Sequence, residues 1–155
     1  MPSYEKFYNW DNSTAWFSRA RTNLSEAEHA TDNQIKVERA KVAAEQALKA
    51  LLAKKGVSIK KHQTHNLKKL LDILEKQRVL QPLKLEKVKK LVDEIEHVQA
   101  YHKTSNTYVD VCYSAQVGHL RYPLKEELEI TDEIAKRKCD AVRRLLEIIK
   151  EEIQN

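Results

Sequence analysis

The sequence predicts an all-α fold, an up-and-down bundle of four or five helices forming one domain over residues 1–155. Three observations carry this. Two glycines and three prolines are few for 155 residues, and a sheet protein needs more turn residues than that. In residues 31–56, TDNQIKVERAKVAAEQALKALLAKKG, the residues Ala40, Ala43, Ala44, Ala47, Leu48, Leu51 and Leu52 recur every three or four positions and mark one apolar helix face. A chain of this length buries roughly 70% of the surface its unfolded form exposes, so it needs neither a disulfide nor a metal as a staple.

That stretch is the central helix. Thr31 is the expected cap, with Gln34 reaching back three residues later, and Gly56 supplies a left-handed stop after Lys54 and Lys55. Alanines on the buried face allow neighbouring helices to approach closely, because a methyl adds little radius and loses no rotamer entropy. Glu38, Arg39, Lys41, Glu45 and Lys49 are expected mostly off that face.

Before it, Ser13 is a candidate cap for a first helix over about residues 14–30, with Trp16, Ala20, Leu24 and Ala27 on one side. The very short connection at Thr31 makes the two helices antiparallel neighbours. Residues 1–17 hold six of the ten aromatics, Tyr4, Phe7, Tyr8, Trp10, Trp16 and Phe17. Residues 1–13 therefore read as an aromatic strap that folds over the bundle or covers a partner subunit.

After the polar connection VSIKKHQT, Thr64 is the expected cap of a short third helix with Leu67, Leu70, Leu71 and Leu74 on its buried side and Lys68 and Lys69 facing away. Pro82 starts a fourth helix at the position proline favours. Val88, Leu91, Val92, Ile95 and Val98 extend it to about His102. Its N-terminal lysines, Lys84, Lys87, Lys89 and Lys90, sit where the helix dipole disfavours them and suggest an anion docked there. The stretch KTSNTYVDVCYSAQVGHLRYP reads as one or two helical turns through Val109, Cys112 and Tyr113, then a loop. A last helix begins at Thr131, with Asp132 and Glu133 complementing the dipole. Ile134, Ala141, Val142, Leu145, Ile148, Ile149 and Ile153 form its buried face.

Charge is distributed unevenly. Between Lys54 and Lys90 twelve Lys or Arg stand against Asp72, Glu75 and Glu86, an excess of nine that leaves the rest of this +5 chain at −4. Such a concentration attracts polyanions; the plainer reading is a solvated lysine-rich face. No apolar run is long enough to span a bilayer, and MPSYEKFYNW lacks the core of a signal peptide, so the expectation is a soluble cytoplasmic protein. Cys112 and Cys139 sit in no CxxC spacing and read as reduced thiols. His62 and His65 have an H-x-x-H spacing, but Lys60 and Lys61 beside them oppose a cation, so no metal is expected. His97, His102 and His119 belong to no nucleophilic arrangement, and no catalytic residue is assigned.

The candidate phosphate-binding residues are Lys60, Lys61, His65, Lys68, Lys69, Arg121 and Tyr122. His65, Lys68 and Lys69 could meet an anion at the start of the third helix. Arg121 could fork onto a phosphate while Tyr122 stacks on a base. Alternatively, Arg121 ties the loop to a carboxylate and Tyr122 plugs the end of the bundle.

Four pieces taken together, AWFSRARTNLSEAEHA, AAEQALKALL ending in KKG, THNLKKLL, and RYP before a last amphipathic helix, resemble the HEPN domain family in order and spacing from about Ala15 to Ile153. The interval from Tyr113 to Arg121 followed by Tyr122 and Pro123 is also similar to the HEPN module of the large chaperone sacsin. The resemblance implies a bundle that often forms a homodimer. It also implies one of three roles: binding of a nucleotide (ATP or GTP) or RNA beside a minimal nucleotidyltransferase, ribonuclease action in toxin or defence systems, or service as a dimerisation or scaffold module. The family's ribonuclease branch carries Arg, four to six residues, then His on one helix. None of the eight arginines here has a His at that distance; Arg21 with His29 comes closest. The interval between HNLKKLL and RYP is long for the family and suggests an extra or extended helix over Pro82–Thr104. The sequence therefore favours a non-catalytic nucleotide or RNA phosphate binder with no cofactor, and leaves a ribonuclease with a non-standard site and a scaffold as alternatives.

Overall fold

A computed structural model describes residues 11–111, 113–114, 119–120 and 128–154. Among the described residues, five α-helices, a 3-10 turn and five short strands follow in the order α1 (Ser13–His29), α2 (Asn33–Lys54), the 3-10 turn (Lys60–His62), α3 (Leu67–Lys76), α4 (Pro82–Glu96), β1 (Val98–His102), β2 (Thr107–Val111), β3 (Tyr113–Ser114), β4 (His119–Leu120), β5 (Leu128–Glu129) and α5 (Asp132–Gln154). The helical bundle is the one the sequence predicts. α2 lies at its centre, packed against α1, α3 and α5.

Helices α1 and α2 run antiparallel. Ser13 Oγ donates to the Ala50 carbonyl at one end of the pair, and Lys36 Nζ donates to the Ala27 and Glu28 carbonyls at the other. Every residue of the expected α2 face, from Ala40 to Leu52, has no exposed surface. Gly56 takes a φ of +80° just beyond α2, and the Val57 N–H reaches back to the Leu52 carbonyl. This is the left-handed stop that only a residue without Cβ adopts without strain.

Helix starts differ from the sequence expectation in a consistent way. Asn12, Asp32 and Asn66 cap α1, α2 and α3, in place of Ser13, Thr31 and Thr64. In each case an Asx side chain within two residues of the hydroxyl accepts the orphan N–H groups instead. Thr131 does accept from the Ile134 N–H at the start of α5.

The larger correction lies after α4. The helix ends at Glu96 rather than near His102, and Val98–Val111 form an antiparallel hairpin instead of helix and loop. β1 pairs with β2 on one side and β5 on the other, and β3 pairs with β4 in a separate ribbon. The reason is a change of period: Val98 and Ala100 are buried while Gln99 is exposed, an alternation of two that suits a half-buried strand. Asn106 turns the hairpin with a φ of +53°, and its side chain accepts from the Tyr101 hydroxyl at 2.7 Å. Val98, Ala100, Leu128 and Ile130 pack with Val37, Ile134 and Ala135 as a small second core beside the main one. Among the described residues no helix is long and apolar enough to cross a membrane.

Candidate functional site

Two of the proposed phosphate ligands, Lys60 and Lys61, lie on the 3-10 turn, which is anchored by the fully buried Ile59. After four intervening residues α3 begins. Its apolar stripe is buried as expected, with Leu67, Leu70 and Leu74 fully covered, and this leaves Lys68 and Lys69 exposed on the opposite side. Their own backbone N–H groups donate to Asn66 Oδ1 at 3.0 and 3.2 Å. Asn66 therefore already occupies part of the helix terminus that an anion would use. Arg121 and Tyr122 lie outside the described residues, as do residues 1–10 of the aromatic strap and Cys112.

His65 sits differently from the expectation. Its Nδ1 lies 2.9 Å from Glu45 Oε1, so its nearest charged neighbour is a carboxylate on the central helix. Glu45 Oε2 accepts from Lys49 Nζ at 3.2 Å. Lys49 in turn lies 5.2 Å from the centroid of the Trp16 ring, close enough for the ring face to stabilise its charge. One turn earlier Lys41 pairs with Glu96 of α4 at 3.3 Å. Lys41, Glu45 and Lys49 are each only 5% exposed, which overturns the expectation that they face away from the core. Their i, i+4 spacing places them in one stripe, and that much was legible. The neighbours that cover the stripe belong to other elements and were not.

This ladder is not a large source of stability, because desolvating both partners of a buried ion pair roughly cancels their attraction. Its effect is to hold His65 in a set orientation. The side chain stays 56% exposed while the carboxylate that holds it is 7% exposed. A buried carboxylate holding one ring nitrogen of a partly exposed imidazole is an arrangement that can orient a histidine for proton transfer.

Two other lysines of the basic stretch are paired with acids. Lys84 donates to Glu152 at 2.5 Å and Lys89 to Glu75 at 3.0 Å, and these hydrogen bonds raise both ammonium groups above the usual lysine range. The anion expected near the start of α4 is thus, in part, the chain's own Glu152. Lys61, Lys68 and Lys69 have no carboxylate within salt-bridge distance among the described residues.

A separate cleft of about 440 Å³ lies among α1, α2 and α5, with Cys139 at its edge. Its charges compensate one another: Arg143 bonds Glu28 at 2.7 Å and Asp140 at 2.8 Å, and Asn33 bonds Asp132 at 2.7 Å. Burial pushes the Cys139 thiol up, so it stays protonated and unreactive near neutrality. Among the described residues no three His, Cys, Asp or Glu side chains converge as a metal site would require.

The model of the HEPN domain family matches residues 13–153, almost the whole chain. The chain belongs to the HEPN domain family. No curated protein and no solved structure matches it. Within this HEPN bundle the matched region includes the 3-10 turn, α3 and the ion ladder behind them, so the lysine face is part of the domain itself.

Proposed function

We propose that this HEPN protein binds the phosphates of a nucleotide or of RNA through Lys61, Lys68 and Lys69, with Lys60, Arg121 and Tyr122 as further contacts. One observation carries the reading. Lys41, Lys49, Lys84, Lys89 and Lys138 each meet an acid, whereas Lys61, Lys68 and Lys69, like Lys54, Lys55, Lys76, Lys87 and Lys90, are exposed without one among the described residues, and these three are the ones nearest in sequence to the start of α3. Two of them stand on the first turn of α3, where a positive charge costs the helix about 0.3–1 kcal/mol. They contribute nothing evident to the fold, and an anionic ligand would offset their cost. A homodimer acting beside a minimal nucleotidyltransferase is the assembly this reading implies.

The test is binding of a short single-stranded RNA, and of ATP, measured across a salt series. Replacing Lys61, Lys68 and Lys69 together by Ala should flatten the slope of log affinity against log salt for RNA by about 2, at roughly 0.7 per phosphate contact. An unchanged slope in a folded variant would remove the site.

A second reading is favoured by the Glu45–His65 pair: RNA cleavage without a metal. His65 would take the proton of an attacking 2′-hydroxyl as that oxygen bonds phosphorus, the bond from phosphorus to the 5′-oxygen would break with water protonating the departing oxygen, and the lysines would stabilise charge on the phosphate. The same RNA incubated with chelator decides between the two. Cleavage that His65→Ala abolishes and Glu45→Gln weakens establishes the enzyme, and intact RNA leaves the binder.

A further inference from the structure

A second concave feature lies away from the ion ladder, where the α3–α4 connection meets the C-terminal ends of α2 and α5. It encloses about 480 Å³, within the size range of small-molecule sites. Val79, Leu80, Pro82 and Leu85 supply its apolar lining. Four charged side chains, Lys55, Arg78, Glu75 and Glu152, also line it, and they are not equivalent. Each acid already has a lysine partner, Glu75 in Lys89 at 3.0 Å, which Glu86 shares at 3.7 Å, and Glu152 in Lys84 at 2.5 Å. Neither Lys55 nor Arg78 has a carboxylate within salt-bridge distance among the described residues. The cavity therefore combines apolar walls with two cations, Lys55 and Arg78, that no carboxylate among the described residues pairs. That combination repels cations and gives a bare inorganic anion nothing for its apolar walls to hold.

We infer that this cavity binds a small organic anion, a phosphate monoester or carboxylate carrying an apolar or aromatic body. The anionic group bonds Arg78 and Lys55, and the apolar body lies along Val79, Leu80 and Leu85. A planar guanidinium matches both candidate head groups, since each presents two oxygens to its fork. Burial of the body supplies the remainder of the affinity, roughly in proportion to the apolar area covered. The site is independent of the lysine face at the 3-10 turn and α3.

Arg78 also provides a clean test. Its backbone has a φ of +51°, a conformation glycine adopts without strain, so Arg78→Gly removes the side chain and preserves the turn. The probe is phenyl phosphate, followed by amide chemical shifts, with inorganic phosphate and phenol as separate arms. The expected result is shifts centred on Val79, Leu80 and Leu85, with phenyl phosphate binding at least about tenfold more tightly than either fragment. Arg78→Gly should weaken phenyl phosphate about tenfold or more, and Lys55→Ala by a smaller factor. The triple Lys61, Lys68, Lys69 to Ala variant should bind it unchanged. Undiminished binding by Arg78→Gly would overturn the site, as would inorganic phosphate matching phenyl phosphate. Shifts centred on residues 60–69, lost in the triple variant, would assign the anion to the lysine face instead.

Discussion

Lys138 shows how one buried charge can set the join between two parts of a molecule. It projects from α5 and donates to the Glu94 and His97 carbonyls, with the Glu94 carboxylate at 3.3 Å. These are groups that α4 leaves unpaired as it ends and β1 begins, so the ammonium serves as the cap that no side chain within α4 provides. Burial lowers its proton affinity below the usual lysine range, Glu94 acts in the opposite sense, and the nearby Arg137 charge lowers it further. The folded chain therefore gives up this proton before the unfolded chain does. Between the lowered value and 10.5 the unfolded state binds more protons, so this residue's contribution to stability rises with pH across that window. Urea unfolding of wild type and Lys138→Met at pH 8 and pH 10 checks the sign. Wild type should gain on the variant at the higher pH, because the effects of Lys84 and Lys89 cancel in the comparison. At neutral pH the variant should be less stable by about 1–3 kcal/mol, since two carbonyls at the end of α4 lose their charged donor.

At the scale of elements, the starts of the helices are the clearest lesson. Ser13, Thr31 and Thr64 were the hydroxyls in the right places, yet Asn12, Asp32 and Asn66 do the capping. A carboxylate or amide oxygen reaches one bond further than a hydroxyl, and at α2 the Asp charge also complements the dipole. Thr131 caps α5, where the neighbouring Asp132 is already the first residue of the helix. Asp32→Ala should therefore cost about 1–2 kcal/mol, because Gln34 and Ile35 both donate to it. Thr31→Ala, at an exposed position, should stay within about 0.5 kcal/mol. Thermal unfolding of the two variants separates the assignments. The hairpin is the element the sequence hid best. Val88, Leu91, Val92, Ile95 and Val98 keep a helical spacing two residues past the true helix end, and only the alternation from Val98 onward marks the change. A short apolar run fits either period until its partner strand is known.

For the whole molecule, the apolar pattern determined the helices and which faces they bury. Apolar side chains at three- and four-residue intervals are stable only when that face is buried, and Gly56 and Pro82 mark boundaries through their own backbone limits. The basic excess between Lys54 and Lys90 was equally legible, since charge can be counted along a chain. Only the tertiary structure decided which of those lysines are neutralised, because Glu152 reaches Lys84 from 68 residues away. It also decided that Lys41, Glu45 and Lys49 are buried, that His65 is held by Glu45, and that Lys55 and Arg78 share a cavity. Periodicity says which side of a helix is apolar, whereas burial depends on how many neighbours surround it, and α2 is enclosed on its polar side as well.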